Sequence, residues 1–250
     1  SAFSNSCYVP NYFKYFLSKK KAPKIYFIGN EYKLMPEKIQ FSKDINISYL
    51  VTQIHGKKAI ELYKKKLKCN VINIPGGGLD TSLFTPGKNL SLREIDIGFR
   101  SYNEPMYFGH QERFELMKKT HEISSNKKLK VDLSMKQNSR LNYKEYASFL
   151  KNCKSVISNN TGYDYFTLDD KLRNNIIKYC QNNNIKEYEN EIGNYDHHMN
   201  NFKKIYENFF RNKPMGTSCR MISGKHIEAA GCKTPQILIE GDYGGYFLPN

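Results

Sequence analysis

Lys24-Ile25-Tyr26-Phe27-Ile28-Gly29, Ile47-Ser48-Tyr49-Leu50-Val51-Thr52-Gln53 and Cys69-Asn70-Val71-Ile72-Asn73-Ile74-Pro75 are three short runs rich in β-branched and aromatic residues. Such runs read as strands. Between them, residues 35–44 and 56–68 read as helices. The second puts Ala59, Leu62, Tyr63 and Leu67 at helical spacing. Strand and helix in alternation predict a β-α-β-α-β unit: a parallel sheet joined by right-handed crossovers.

Working outward, Gly76-Gly77-Gly78-Leu79-Asp80 and Phe84-Thr85-Pro86-Gly87 form a turn-rich junction. It predicts a domain boundary between residues 85 and 86. A second α/β series follows, with strands at 94–100 and 129–133 and a third at 155–162 that runs into a polar loop. Helices are expected at 111–123 and at 143–152, the latter with Tyr146, Phe149 and Leu150 inward. Residues 163–217 are less regular and read as a helical insertion, with helices at 168–182 and 195–211. Phe202, Ile205, Tyr206 and Phe209 follow the helical period, which marks them as core rather than a base-stacking platform.

The chain has 250 residues, 39% hydrophobic and 25% charged, which is a globular composition. No run of about 18 apolar residues exists to span a membrane. Ser1-Ala2-Phe3-Ser4-Asn5-Ser6 has neither an initiating Met nor a secretory pattern, and reads as a trimmed start. Cys7, Cys69, Cys153, Cys180, Cys219 and Cys232 are scattered, without C-x-x-C pairs or histidines at metal spacing. Reduced thiols and a cytoplasmic location are expected. The net charge of +15 is spread, with small clusters at 19–21, 64–66 and 127–130. Arg-rich tracts and helix-turn-helix, zinc-finger or RRM signatures are absent, so nucleic acid is not the expected partner. Phosphorylated ligands, and peripheral contact with the anionic inner face of a membrane, suit the charge better.

The stretch 223–244 carries the strongest functional signal. Gly224, Lys225 and His226 open a short helical run containing Glu228. Gly231 breaks it, and Thr234-Pro235 leads into the strand Gln236-Ile237-Leu238-Ile239. Lys225 and Glu228, three residues apart, share a helical face. They lie where free N–H groups and the helix dipole attract anions. That arrangement suits a nucleoside diphosphate, with Lys225 on phosphate and Glu228 on the ribose hydroxyls.

Ile222-Ser-Gly-Lys-His-Ile-Glu-Ala-Ala, followed by Thr234-Pro-Gln and Glu240-Gly-Asp-Tyr-Gly-Gly, resembles the donor-binding motif of bacterial GT-B-type nucleotide-sugar glycosyltransferases. Three further segments share the resemblance in the same order: Ile74-Pro-Gly-Gly-Gly-Leu-Asp-Thr-Ser-Leu-Phe-Thr-Pro, Asp96-Ile-Gly-Phe-Arg and residues 155–162. The resemblance implies an α/β fold of Rossmann-like parallel sheets flanked by helices, arranged as two GT-B-like domains. Residues 1–85 would be a partial acceptor-side domain and 86–250 the donor-nucleotide domain, so that the chain reads as an excised piece. The implied activity is transfer of a sugar from a nucleoside-diphosphate sugar to a glycan or lipid-linked acceptor in surface polysaccharide synthesis. A nucleotide-sugar epimerase and a non-catalytic nucleotide-sugar or glycan-binding module are the alternatives. The implied donor-binding residues are Gly98, Arg100, Asn160, Thr161, Arg220, Lys225, His226, Glu228, Thr234 and Tyr243. Arg220 stands where retaining members carry a Glu, which leaves the stereochemical outcome open, and no catalytic base is nominated. No cofactor or metal is expected, since no Asp-x-Asp motif is present. The Asp169-Asp170 pair is expected to cap the helix that follows it.

Overall fold

Strand β2 (Tyr49–Thr52) lies between β1 (Ile25–Phe27) and β3 (Asn70–Asn73) in a three-stranded, wholly parallel sheet. It belongs to a computed structural model that describes residues 9–213 and 217–247. Helices α2 (Met35–Asp44) and α3 (Lys57–Leu67) supply the two crossovers. The register aligns Tyr26, Leu50 and Val71 on one face. That face packs with Ile39 and Phe41 of α2 and Ala59 and Tyr63 of α3. Phe108, Tyr163, Phe166, Cys219 and Met221, all from later in the chain, complete this core. Helix α1 (Asn11–Lys19), which the sequence reading missed, is seated through Leu17 and the preceding Val9.

The second sheet runs in the order β5 (Val131–Ser134), β4 (Ile95–Arg100), β6 (Cys153–Ser158), β7 (Gln236–Leu238), every pair parallel. Neighbouring residues along a strand point to opposite faces. Val156 packs with Ala147 and Leu150 of α5 (Tyr143–Asn152) and with Ala229 of α8 (Gly224–Gly231). Phe99 and Ile157 pack on the other face against Phe114 and Met117 of α4 (Glu112–Lys127). The protein is thus α/β, its parallel sheets flanked by helices in a Rossmann-like manner, as the sequence predicts. Helices α6 (Lys171–Asn182) and α7 (Tyr195–Phe209) form a satellite core with Met106, built on Ile176, Cys180, Ile205 and Phe210. Phe202 and Phe209 pack against it, whereas Tyr206 is largely exposed.

Two local expectations need correction or restriction. Asp169 does accept from the Lys171 N–H at the start of α6 (3.2 Å). Asp170, however, reaches across to α2 and accepts from the N–H groups of Leu34 (2.6 Å) and Met35 (3.3 Å). Leu34 is left-handed and Pro36 follows Met35, so α2 begins without a local side-chain cap, and Asp170 supplies a remote one. Cys69, Cys153, Cys180, Cys219 and Cys232 are free thiols, and Cys7 lies outside the described residues. No helix among the described residues is long and apolar enough to cross a membrane.

Glu31, at the tip of β1, is buried and accepts from the hydroxyls of Tyr63 and Thr52. Burial pushes its pKa up to about 7, against the opposing pull of those hydrogen bonds and of Lys38. The unfolded carboxyl titrates near 4.5, so the folded protein holds the extra proton between there and about 7. Stability therefore falls as pH rises through that window. Glu31→Gln is expected to flatten the dependence and to raise stability at pH 8 by about 2 kcal/mol, read by urea denaturation at a series of pH values.

Candidate functional site

All strands of the second sheet are parallel, so their carboxyl ends share one edge. From β4 the chain goes to β5 on one side and later to β6 on the other, making β4/β6 the topological switch point, where doubly wound sheets leave a crevice. A cleft of ≈ 130 Å³ opens there. Its lining includes Gly98, Arg100 and Tyr102 from the end of β4, and Ser158, Asn159 and Thr161 from the end of β6. Arg113 of α4, Tyr146 of α5 and Lys225 of α8 close it.

Among the described residues, three cations line this cleft and no carboxylate does. Arg100 is paired with Asp132 and donates to the Ser139 carbonyl (3.3 Å). Arg113 sits 3.2 Å from Glu104, donates to Thr161 Oγ1 (2.9 Å) and lies over the Tyr102 ring at 5.0 Å. Lys225 has no ion pair among the described residues. Its Nζ donates to the Arg100 carbonyl at 2.5 Å and stands 5.8 Å from the Tyr146 ring centre. Burial, reinforced by the charge of Arg113, lowers its pKa to about 8. The N–H groups of the first turn of α8 add positive potential at the same rim.

Two glycines let the walls come this close. A Cβ on Gly98 would stand 2.5 Å from Cys153 Sγ and 2.6 Å from Phe149 Cζ, so Gly98 lets α5 approach β4. Gly77, at φ +100°, brings the junction loop onto the start of α8, where a Cβ would meet Gly224 Cα at 3.0 Å.

Of the ten residues the resemblance nominates, Gly98, Arg100, Thr161 and Lys225 line the cleft. The other six are not among its lining residues. Arg220 donates to both carboxylate oxygens of Glu112 (2.9 Å each) and of Asp164 (2.8 Å each), and to Asn160 Oδ1 (3.1 Å). Burial opposes its charge, but the two carboxylates outweigh that and raise its pKa above the ordinary value. Burial likewise opposes ionisation of Glu112 and Asp164, and Arg220 nevertheless holds both below the usual carboxylate range. Asn160 donates to the Asp242 carbonyl (3.0 Å), tying the 240–245 loop to the same clamp. His226 Nδ1 accepts from the Ser223 N–H (3.1 Å), and the ring packs edge-on to Tyr243. Burial first, then the charges of Arg113 and Lys225, push His226 down to about 4, so the ring is neutral and serves the helix start. Tyr243 donates to the Ile239 carbonyl (2.8 Å). Thr234 accepts from Arg93 (2.9 Å) and donates to the Leu150 carbonyl (2.7 Å), a wholly internal role. Glu228, partly buried, is hydrogen-bonded to Tyr143 and makes no ion pair with Lys225 among the described residues; burial raises its pKa.

Arg113, Tyr102 and Tyr146 are cleft residues that the sequence reading did not nominate. Tyr146 had been assigned inward on α5. Arg113 was the available signal, as a cation in the first turn of the helix that follows β4. Among the described residues no group of three or more His, Cys, Asp or Glu side chains is placed to hold a metal ion. Comparison of the chain with protein-family models, with curated proteins and with solved structures finds no match.

The clamp predicts a stability effect distinct from any ligand effect. Arg220→Ala leaves Glu112 and Asp164 facing each other without their cation, and is expected to cost about 3 kcal/mol in chemical denaturation. A double substitution that also replaces Glu112 with Gln should recover part of that loss.

Proposed function

We propose that the cleft binds the diphosphate of a nucleoside-diphosphate sugar and that the protein is a glycosyltransferase of the GT-B type. The reading of residues 1–85 and 86–250 as acceptor-side and donor-side domains belongs to the same proposal. The observation that supports it most is Lys225: an ammonium without an ion pair among the described residues, in a switch-point cleft that two arginines share and that no described carboxylate lines. The order of the motif-bearing segments in the sequence adds to it.

In this reading an acceptor hydroxyl forms the new bond to the anomeric carbon while the bond from that carbon to the diphosphate oxygen breaks. Its electron pair leaves with the diphosphate. Lys225, Arg100, Arg113 and the helix-end N–H groups meet the charge that develops on that oxygen. The proton of the acceptor hydroxyl must go to a base, and no carboxylate lines the cleft to take it. The second reading is a nucleotide-sugar-binding module without turnover. Glu228, one turn along α8 from Lys225 but not a lining residue, keeps in this reading the expected role on the ribose hydroxyls.

A thermal-shift screen against UDP-, GDP-, dTDP-, ADP- and CMP-linked sugars tests the binding step. A rise in Tm with one of the diphosphate-linked classes supports the proposal, and a rise with the CMP-linked monophosphate sugar alone counts against it. No rise with any of them, nor with inorganic diphosphate, overturns it. Product analysis then separates transfer, release of an epimerised sugar, and binding alone.

Two outcomes are specific to Lys225. Lys225→Ala is expected to weaken diphosphate binding by about 50-fold in calorimetry, with Lys225→Arg retaining part of the affinity. The ammonium is present below its pKa of about 8 and is lost above it. Wild-type affinity should therefore fall as pH rises through about 8, and the alanine variant should show no such step.

A further inference from the structure

We propose that α1 and the lysines that follow it form a docking surface for an anionic lipid bilayer. The observation is independent of the cleft. Helix α1 buries none of its residues, and its aromatic side chains face solvent: Tyr12 is 77% exposed and Tyr15 66%, with Phe13 and Phe16 also exposed. Tyr12, Tyr15, Phe16 and Lys19 are spaced as neighbours on one helical surface. The Phe13 and Phe16 rings stack at 6.5 Å. Ile25 (58% exposed) and Phe27 (64%) of the edge strand β1 lie on the sheet face opposite Tyr26, a separate exposed apolar pair.

Charge identifies the occupant. From Val9 to Asn30 the chain carries Lys14, Lys19, Lys20, Lys21 and Lys24 and not one Asp or Glu. Lys19 and Lys20 lie over the Tyr15 and Phe16 rings at 5.2 and 4.3 Å, so the cations flank the aromatic surface itself. A protein partner for so large an apolar face needs only shape. Lysines interleaved with tyrosine and phenylalanine match a layer with anionic headgroups above hydrocarbon, where aromatic rings sit at the interface and each lysine adds attraction. At nine residues α1 is too short to span a bilayer and would lie along its surface.

The test uses vesicle sedimentation with pure phosphatidylcholine and with phosphatidylcholine containing phosphatidylserine. The protein should bind the anionic vesicles and not the neutral ones. Lys19→Glu with Lys20→Glu should weaken binding by about tenfold or more, and so should Phe13→Ser with Phe16→Ser. These side chains are exposed, so unchanged thermal melts show that the variants fold. The chain has no tryptophan, so Phe16→Trp provides a single emission that should shift to the blue and be quenched by brominated lipid. Absence of binding to anionic vesicles overturns the proposal, as does binding that the substitutions leave unchanged. Tighter binding of a single-stranded oligonucleotide, lost in the same variants, would assign the surface to nucleic acid and overturn it equally.

Discussion

Strand β4 has a partner on each side, and the chain reaches those partners by crossovers on opposite faces of the sheet. That single topological constraint opens the cleft. With β5 and α4 to one side and β6, α5 and α8 to the other, the loops after β4 and β6 diverge and cannot close over the strand tips. Whatever side chains occupy those loops must face a common space. Gly98 tightens one wall by letting Phe149 and Cys153 approach β4, and Gly77 tightens another by letting the junction loop reach Gly224.

Charge is segregated around this opening. Four carboxylates near the cleft are paired with arginines: Asp132 with Arg100, Glu104 with Arg113, and Glu112 and Asp164 with Arg220. The clamp on Arg220 also holds Asn160 and, through it, the 240–245 loop. Its work is to fix the β6 loop against α4 and to keep acid out of the cavity. A Glu at position 220 would meet Glu112 and Asp164 and could not serve there, which is a physical reason for the basic residue at that position.

The elements were legible where local signals agreed. Helix α5 has Asn142 at its start, accepting from the Glu145 N–H (3.0 Å) while Glu145 reaches back, and its apolar residues fall on one side. Helix α1 escaped because Tyr12, Phe13, Tyr15 and Phe16 are apolar and exposed, so their spacing does not report burial. The site was legible only in part. Lys225 and Arg100 sit in short segments whose character shows in sequence. The partners of Arg220 are 108 and 56 residues away, and Arg113 meets Thr161 across 48 residues. No local pattern encodes such distances. A residue that is a ligand contact by its neighbours in sequence thus became a structural clamp by its neighbours in space.

The comparison of two lysines shows why Lys225 and not simple basicity marks the site. Burial lowers both Lys38 and Lys225 to about 8. An ammonium has three donors. Lys38 spends all three on the carbonyls of Gly29 (2.7 Å), Asn30 (2.7 Å) and Lys33 (2.8 Å), which makes it a fixed part of the loop after β1. Lys225 has one acceptor, the Arg100 carbonyl, and an aromatic ring beside it. Its remaining donors have no acceptor among the described residues, and the charges acting on it are those of Arg113 and Arg140 against Glu228. Burying a cation is costly, and a half-satisfied one near two arginines is costlier still. The diphosphate contact proposed above would lower that cost, because an anion there would accept from the remaining Lys225 donors and offset the mutual repulsion of Arg100, Arg113 and Lys225.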